Sequence, residues 1–206
     1  MRQDTSSQVE EIESGEVAYP VHDGAGCRGR AELGWRGSLT HMQVYLVRHG
    51  IAASREVGFV DDAGRELTAE GFKKMQRHAT ALASLGVQIE EIWTSPLVRA
   101  RQTADVLATG LGGRIAIHEV TDLAPDGDFD VIRRRLAQHS RLSGVALVGH
   151  EPYLGEFTSY LLGGPRSLMI RFKKGGVALV EIDDFAPPLR GELCWLLTPK
   201  QMGKMG

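Results

Sequence analysis

The chain has 206 residues, 42% of them hydrophobic and 24% charged, with 24 Lys and Arg against 26 Asp and Glu. That size fits one domain, or at most two small ones, with a real core. A net charge of -2 gives no general affinity for nucleic acid or an acidic membrane, and no apolar run approaches the ~20 residues of a membrane span. Met1 to Val9 is polar and lacks the apolar stretch of a secretory signal. Cys27 and Cys194 are too few for a disulfide framework or a Cys-based zinc site. Together these features point to a soluble protein of a reducing, cytoplasmic compartment.

Residues 1–41 hold seven acids against four bases, no Lys, six glycines and no sustained period of 2 or 3.6. Such a segment has little apolar surface to offset the entropy of ordering it. It is expected to be a flexible arm, with the folded domain spanning residues 42–206 and Met42 standing directly before the first strand.

From Met42 onward, strand and helix patterns alternate. Gln43–Arg48 is a nearly continuous apolar run, as in a buried parallel strand. Thr68 caps a predicted helix to about Leu85, with Phe72, Met75, Ala79 and Leu82 at helical spacing and Gly86 as the stop. Ile89–Thr94 is the second strand. Ser95-Pro96 reads as an N-cap followed by proline at the first helical position. The helix it opens carries Leu97, Ala100, Ala104, Leu107 and Leu111 on one face. Arg114–His118 is a short strand, Phe129–Leu142 a helix, Val145–Gly149 a buried strand and Tyr153–Leu162 a helix. Leu168–Phe172, Val177–Ile182 and Leu193–Thr198 are the last strands, with a tight turn at Gly175-Gly176 between the first two. Alternating strands and helices imply crossovers and a mostly parallel sheet covered on both faces.

The polar clusters fall where such a sheet binds ligands, beyond the carboxyl ends of its strands. Arg48-His49-Gly50 follows the first strand, Ser95 to Arg99 the second, and Gly149-His150-Glu151-Pro152 the fourth. Arg65-Glu66-Leu67-Thr68 opens the first long helix. Two imidazoles and three guanidiniums would then converge. Three Arg side chains in one pocket repel each other unless an anion lies between them, and their forks match phosphate oxygens. A helix N-terminus after Ser95 would add backbone N–H donors for the same anion. No Gly-rich P-loop is present. Arg101, by contrast, reads as a solvated helix residue, Lys173-Lys174 as a solvated turn, and Cys194-Trp195 as core.

In order and spacing, Arg48-His49-Gly50, the Arg65–Gly71 stretch, the Thr94–Ala104 stretch and Val148-Gly149-His150 resemble the histidine phosphatase (phosphoglycerate mutase-like) superfamily. The short chain without a large insertion is most similar to the SixA-type phosphohistidine phosphatases, and the resemblance spans about Gln43 to Ile182. It implies a three-layer α/β/α sandwich. It implies that His49 is the nucleophile, that Arg48 and Arg99 bind the phosphoryl group, that His150 contacts the transferring oxygens, and that Arg65 lies at the pocket mouth as a substrate-binding residue. The acid that larger relatives use to protonate the leaving group has no clear counterpart between Asp122 and Asp128. Glu151, Asp62 and Asp126 are the candidates.

Elementary chemistry supports the same roles. A histidine nucleophile needs a neutral ring nitrogen, which nearby Arg charges favour. Its attack on phosphorus gives a covalent intermediate that water then cleaves. No metal or other cofactor is required. The expected function is therefore a metal-independent phosphatase acting on a phosphohistidine-bearing protein or a small phosphorylated substrate, with no nucleic-acid or membrane partner. The alternatives are a small-molecule phosphomonoesterase of the same superfamily and a phosphate-binding regulatory module without turnover. A mutase fits less well, because it must retain and re-orient its product.

Overall fold

The computed structural model describes residues 41–54, 61–164 and 168–205. The proposed arm at residues 1–41 lies outside them except for its last residue, His41. Among the described residues, β1 (Met42–Arg48), β2 (Glu91–Thr94), β3 (Ala116–Glu119), β4 (Gly144–Gly149), β5 (Val177–Ile182) and β6 (Glu192–Leu197) form one sheet in the order β3-β2-β4-β1-β5-β6. β1 pairs in parallel with β4, β4 with β2, and β2 with β3. β5 runs antiparallel to both β1 and β6, so it alone is reversed. The helices are α1 (Ala69–Ser84), α2 (Val98–Gly110), α3 (Phe129–Gln138), α4 (Tyr153–Gly163) and the short α5 (Pro199–Met202). None of the described helices is long and apolar enough to cross a membrane.

The period of two along β1 explains the layering. Val44 and Leu46 point into one core with Ile132 and Leu136 of α3 and Leu154, Phe157 and Leu161 of α4. Tyr45 and Val47 point into the other, with Met75, Ala79 and Leu82 of α1 and Ala100, Ala104 and Leu107 of α2. Both faces of the sheet are thereby covered, as continuous apolar strands require. Small residues let α1 and α2 approach closely: a Cβ on Gly110 would lie 2.4 Å from the Cβ of Ala79. α1 starts as the sequence predicts, with Thr68 Oγ1 accepting the N–H of Gly71 at 3.0 Å.

Four local expectations are corrected. α2 starts at Val98, its N-cap Leu97 offers no side-chain cap, and Ser95-Pro96 precedes it. The N–H groups of Leu97 and Val98 are already taken, by Ser95 Oγ at 3.3 Å and by the carbonyl of Ala63 at 3.0 Å. They are therefore engaged within the protein. α3 stops at Gln138 rather than Leu142, because the chain turns back and Leu142 N–H donates to the carbonyl of His139. Leu168–Phe172 is not a strand: side chains take both backbone polar groups of Phe172, as described below. The Gly175-Gly176 turn therefore joins no hairpin. Gly175, at φ 80°, instead donates its N–H to the carbonyls of Arg48 and His49, at 3.1 and 3.0 Å.

Candidate active site

The carboxyl ends of β1, β2 and β4 lie side by side, held in register by the ladder. His49 N–H donates to the carbonyl of Gly149, and Ser95 N–H to that of Val148. The residues that leave these strands, His49, Ser95 and His150, are thus neighbours by construction. The imidazoles of His49 and His150 stand 5.0 Å apart between centroids. Gly50 follows His49 because a side chain has no room there: a Cβ would meet Met75 Cγ at 2.8 Å and Leu67 Cδ2 at 3.2 Å.

Hydrogen bonding fixes the tautomer of His49. Its Nδ1 lies 2.7 Å from the carbonyl oxygen of Gly50, which can only accept, so Nδ1 carries the hydrogen. Its Nε2 receives Arg99 Nε–H at 3.3 Å, so Nε2 carries the lone pair. Burial first, then the charges of Arg99, Arg48 and Lys174, push the His49 pKa down to about 4, opposed by the Gly50 carbonyl. The ring is therefore neutral at pH 7, with its nucleophilic nitrogen facing a guanidinium. Burial and then the nearby His49 and Arg99 push His150 down to about 3. His150 Nε2 is 2.8 Å from Ser95 Oγ.

Arg99, 3% exposed, uses all three guanidinium nitrogens. Besides the bond to His49, Nη1 donates to the carbonyl of Asp62 at 2.7 Å and Nη2 to its Oδ2 at 3.0 Å. The other carboxylate oxygen of Asp62 accepts from Arg65 Nε at 2.9 Å and pairs with its Nη2 at 2.8 Å. Arg65 Nη1 donates to the carbonyl of Ala53. The order of contact is therefore Arg65, Asp62, Arg99, His49. Arg48 enters from the other side, its Nη1 donating to the carbonyl of Phe172 at 2.6 Å. Among the described residues, Arg48 Nε and His150 Nδ1 are buried without a hydrogen-bond partner. Buried polar groups left unpaired are costly unless a ligand or water completes them.

Four of the five residues of the predicted pocket, His49, His150, Arg48 and Arg99, come together. The fifth, Arg65, connects to them through Asp62, which also pairs with Arg99. Of the candidate acids, Asp62 is held between two guanidiniums. Glu151 stands behind Arg48, with Oε1 accepting Phe172 N–H at 3.2 Å. Asp126 is exposed in the turn before α3. Arg101 is solvated and pairs with Asp105 and Glu119, as expected.

Two contributors were not foreseen. Thr103, fully buried, donates from Oγ1 to the carbonyl of Arg99 at 2.7 Å and accepts Gly50 N–H at 3.1 Å, tying α2 to the loop after β1. Its place one turn after Arg99 is legible, but a partner 53 residues away is not. Lys174 is exposed, yet its charge bears on His49, which the linear position of Lys173-Lys174 does not reveal.

A neutral imidazole nitrogen framed by fixed guanidiniums at the carboxyl edge of a parallel sheet is suited to phosphoryl transfer. The family model of the histidine phosphatase superfamily (branch 1) matches residues 44–124. An uncharacterized protein of Picosynechococcus sp. is 37% identical over 139 residues, covering 66% of this chain and 82% of its own. The phosphohistidine phosphatase SixA of Escherichia coli strain K12 is 28% identical over 160 residues, covering 77% of this chain and 94% of its own. The solved structure of the protein histidine phosphatase SixA complexed with tungstate superposes with TM-score 0.69 at 27% identity, over 77% of this chain and 98% of that one. Alpha-ribazole phosphatase from Shigella flexneri shares the fold, with TM-score 0.61 at 18% identity over 77% of this chain and 97% of its own. The chain belongs to the histidine phosphatase superfamily and is a phosphatase with the phosphoglycerate mutase-like α/β fold.

Proposed function

We propose that this phosphatase hydrolyses phosphohistidine on a protein through a covalent intermediate on His49, in a cytoplasmic setting. The observation that carries the reading is a neutral His49 beside Arg99, Arg48 and His150, while the three candidate acids are each otherwise engaged or exposed. Asp62 is held by Arg99 and Arg65, Glu151 accepts a backbone N–H, and Asp126 faces solvent. The similarity to SixA, a phosphohistidine phosphatase, supports the same substrate class.

In the first step His49 Nε2 attacks phosphorus. A P–N bond forms to His49, the P–N bond of the substrate breaks, and its electron pair leaves with the substrate imidazole, which departs neutral because its other ring nitrogen carries a proton. Arg99 Nε shifts from His49 Nε2 to a phosphoryl oxygen, and Arg48 Nε and His150 Nδ1 complete the cage around the spreading negative charge. In the second step water adds to phosphorus, the bond to His49 breaks with its pair returning to Nε2, and orthophosphate leaves.

Leaving-group chemistry selects the substrate. An imidazole has a conjugate acid of pKa ≈ 6.5 and departs with little help. An alkoxide, with a conjugate acid close to the ≈ 15.7 of water, needs a placed proton donor that typically contributes ~10²–10⁴-fold. The test is kcat/KM for a phosphohistidine-bearing protein, an aryl phosphate and a sugar phosphate. The expected ranking falls in that order. Efficient turnover of the sugar phosphate, with a sharp loss on replacing one of the three carboxylates, would make the enzyme a small-molecule phosphomonoesterase.

A further inference from the structure

Phe172 has an unusual allocation of its backbone. Its carbonyl accepts Arg48 Nη1 at 2.6 Å, and its N–H donates to Glu151 Oε1 at 3.2 Å. The Glu151 carboxylate also lies beside the first turn of α4, where a Cβ on Gly155 would stand 3.4 Å from Oε1 and the Gly155 N–H helps to lower its pKa. Pro152, the N-cap of α4, offers no side-chain cap, and Glu151 stands one residue before it. The surroundings are tight: a Cβ on Gly155 would come within 2.1 Å of the carbonyl oxygen of Ile170, so α4 and the 168–172 segment are pressed together at the carboxylate. The Phe172 ring is fully buried in the α3–α4 core, which fixes the segment from its other side.

We propose that Glu151 is a positioning residue for Arg48: its carboxylate locks α4 to the 168–172 segment and so presents the Phe172 carbonyl that aims the guanidinium at the phosphoryl pocket. The inference rests on the reading that Arg48 binds the phosphoryl group. It accounts for the absence of a strand at Leu168–Phe172, since a ladder would consume the groups that Glu151 and Arg48 use. It also assigns Glu151 to a task other than proton donation. Burial raises the Glu151 pKa overall, opposed by the Phe172 N–H and by the charges of Arg48 from β1 and Arg171 from the 168–172 segment. Glu151 in turn supports the charge of Arg48, which burial disfavours. Glu156 of α4 lines the same cleft.

The experiment is calorimetric titration of the full chain with inorganic phosphate, for the wild type, Glu151→Gln, Glu151→Ala, Arg48→Ala and the Arg48→Ala/Glu151→Ala pair. Glu151→Ala should weaken phosphate about tenfold, and Glu151→Gln, which keeps an acceptor oxygen, should recover most of that loss. In the Arg48→Ala background Glu151→Ala should cost nothing further. Additive losses, or unchanged phosphate affinity in both Glu151 variants, would overturn the inference. So would a Glu151→Gln enzyme that binds phosphate normally but loses turnover in proportion to leaving-group pKa, since that marks a proton donor. Unchanged phosphate affinity in Arg48→Ala alone would overturn the underlying reading of Arg48 and the inference with it. If Glu151→Ala does not fold, the cycle is run with Glu151→Gln, for which a two- to threefold loss confined to the Arg48 background is expected.

Discussion

Replacing Arg99 removes three donors at once, to His49 Nε2, to the Asp62 carbonyl and to the Asp62 carboxylate. The loss in the transition state is that of a fixed cationic donor in a desolvated site. Removal of one oxyanion donor elsewhere costs about 10²–10³ in rate, or ~2.7–4 kcal/mol. Arg99→Ala should therefore lower kcat/KM for an aryl phosphate by at least ~10²-fold. A second consequence has a definite sign. The Arg99 charge is one cause of the low pKa of His49. Without it that pKa rises from about 4 toward the ordinary 6.5, and the acid limb of kcat/KM moves to higher pH. Arg99→Lys separates charge from shape: it keeps the limb in place, but one ammonium cannot span His49 and both Asp62 oxygens, so the rate still falls. Asp62 is 40% exposed, so water can reach the oxygens released and the fold should survive. The assay is steady-state hydrolysis between pH 4 and 9. An Arg99→Ala enzyme within about threefold of wild type, or one whose acid limb stays put, would refute this role for Arg99.

The remaining expectations concern its neighbours. Arg101→Ala should leave kcat/KM within about twofold, because its pairs with Asp105 and Glu119 lie on the surface; a large loss would put the wrong face of α2 at the site. Thr103→Val leaves Gly50 N–H buried without its acceptor and should cost ~1–3 kcal/mol in thermal unfolding. An unchanged melting temperature would contradict that bridge. His49 and His150 both have folded-state pKa values, about 4 and about 3, below the ordinary 6.5. Their neutral forms thus add stability that is fully present above pH 6.5 and is lost as pH falls toward 4 and then 3. Melting temperature should drop over that window, and less steeply in His150→Asn. Deleting residues 1–41 should leave melting temperature and activity nearly unchanged; a large drop would show that the segment packs on the domain.

Much of this architecture was legible in the sequence because its signals are periodic and short-ranged. The continuous apolar run at Gln43–Arg48 identified a central strand, and Thr68 identified a helix start. The polar residues after three strands converged because parallel strands share a carboxyl edge. The failures have a common cause. Leu168–Phe172 has strand composition, but whether its backbone joins a ladder depends on Arg48 and Glu151, 124 and 21 residues from Phe172. Ser95 has cap chemistry, but its hydroxyl is drawn to His150, 55 residues on. The pairing of Arg65 with the carboxylate of Asp62, three residues earlier, is likewise not marked by the linear sequence, where Asp62 is a candidate acid and Arg65 a candidate phosphate ligand.

The covalent intermediate is the most direct measure of the account. The intact protein would be incubated with a phosphohistidine-bearing protein labelled on phosphorus, quenched in alkali during turnover, and digested. A nitrogen nucleophile predicts a label that survives base, is lost in acid, and maps to the peptide bearing His49, with none in His49→Ala. An acid-stable label, a label on another residue, or full turnover by His49→Ala would contradict it.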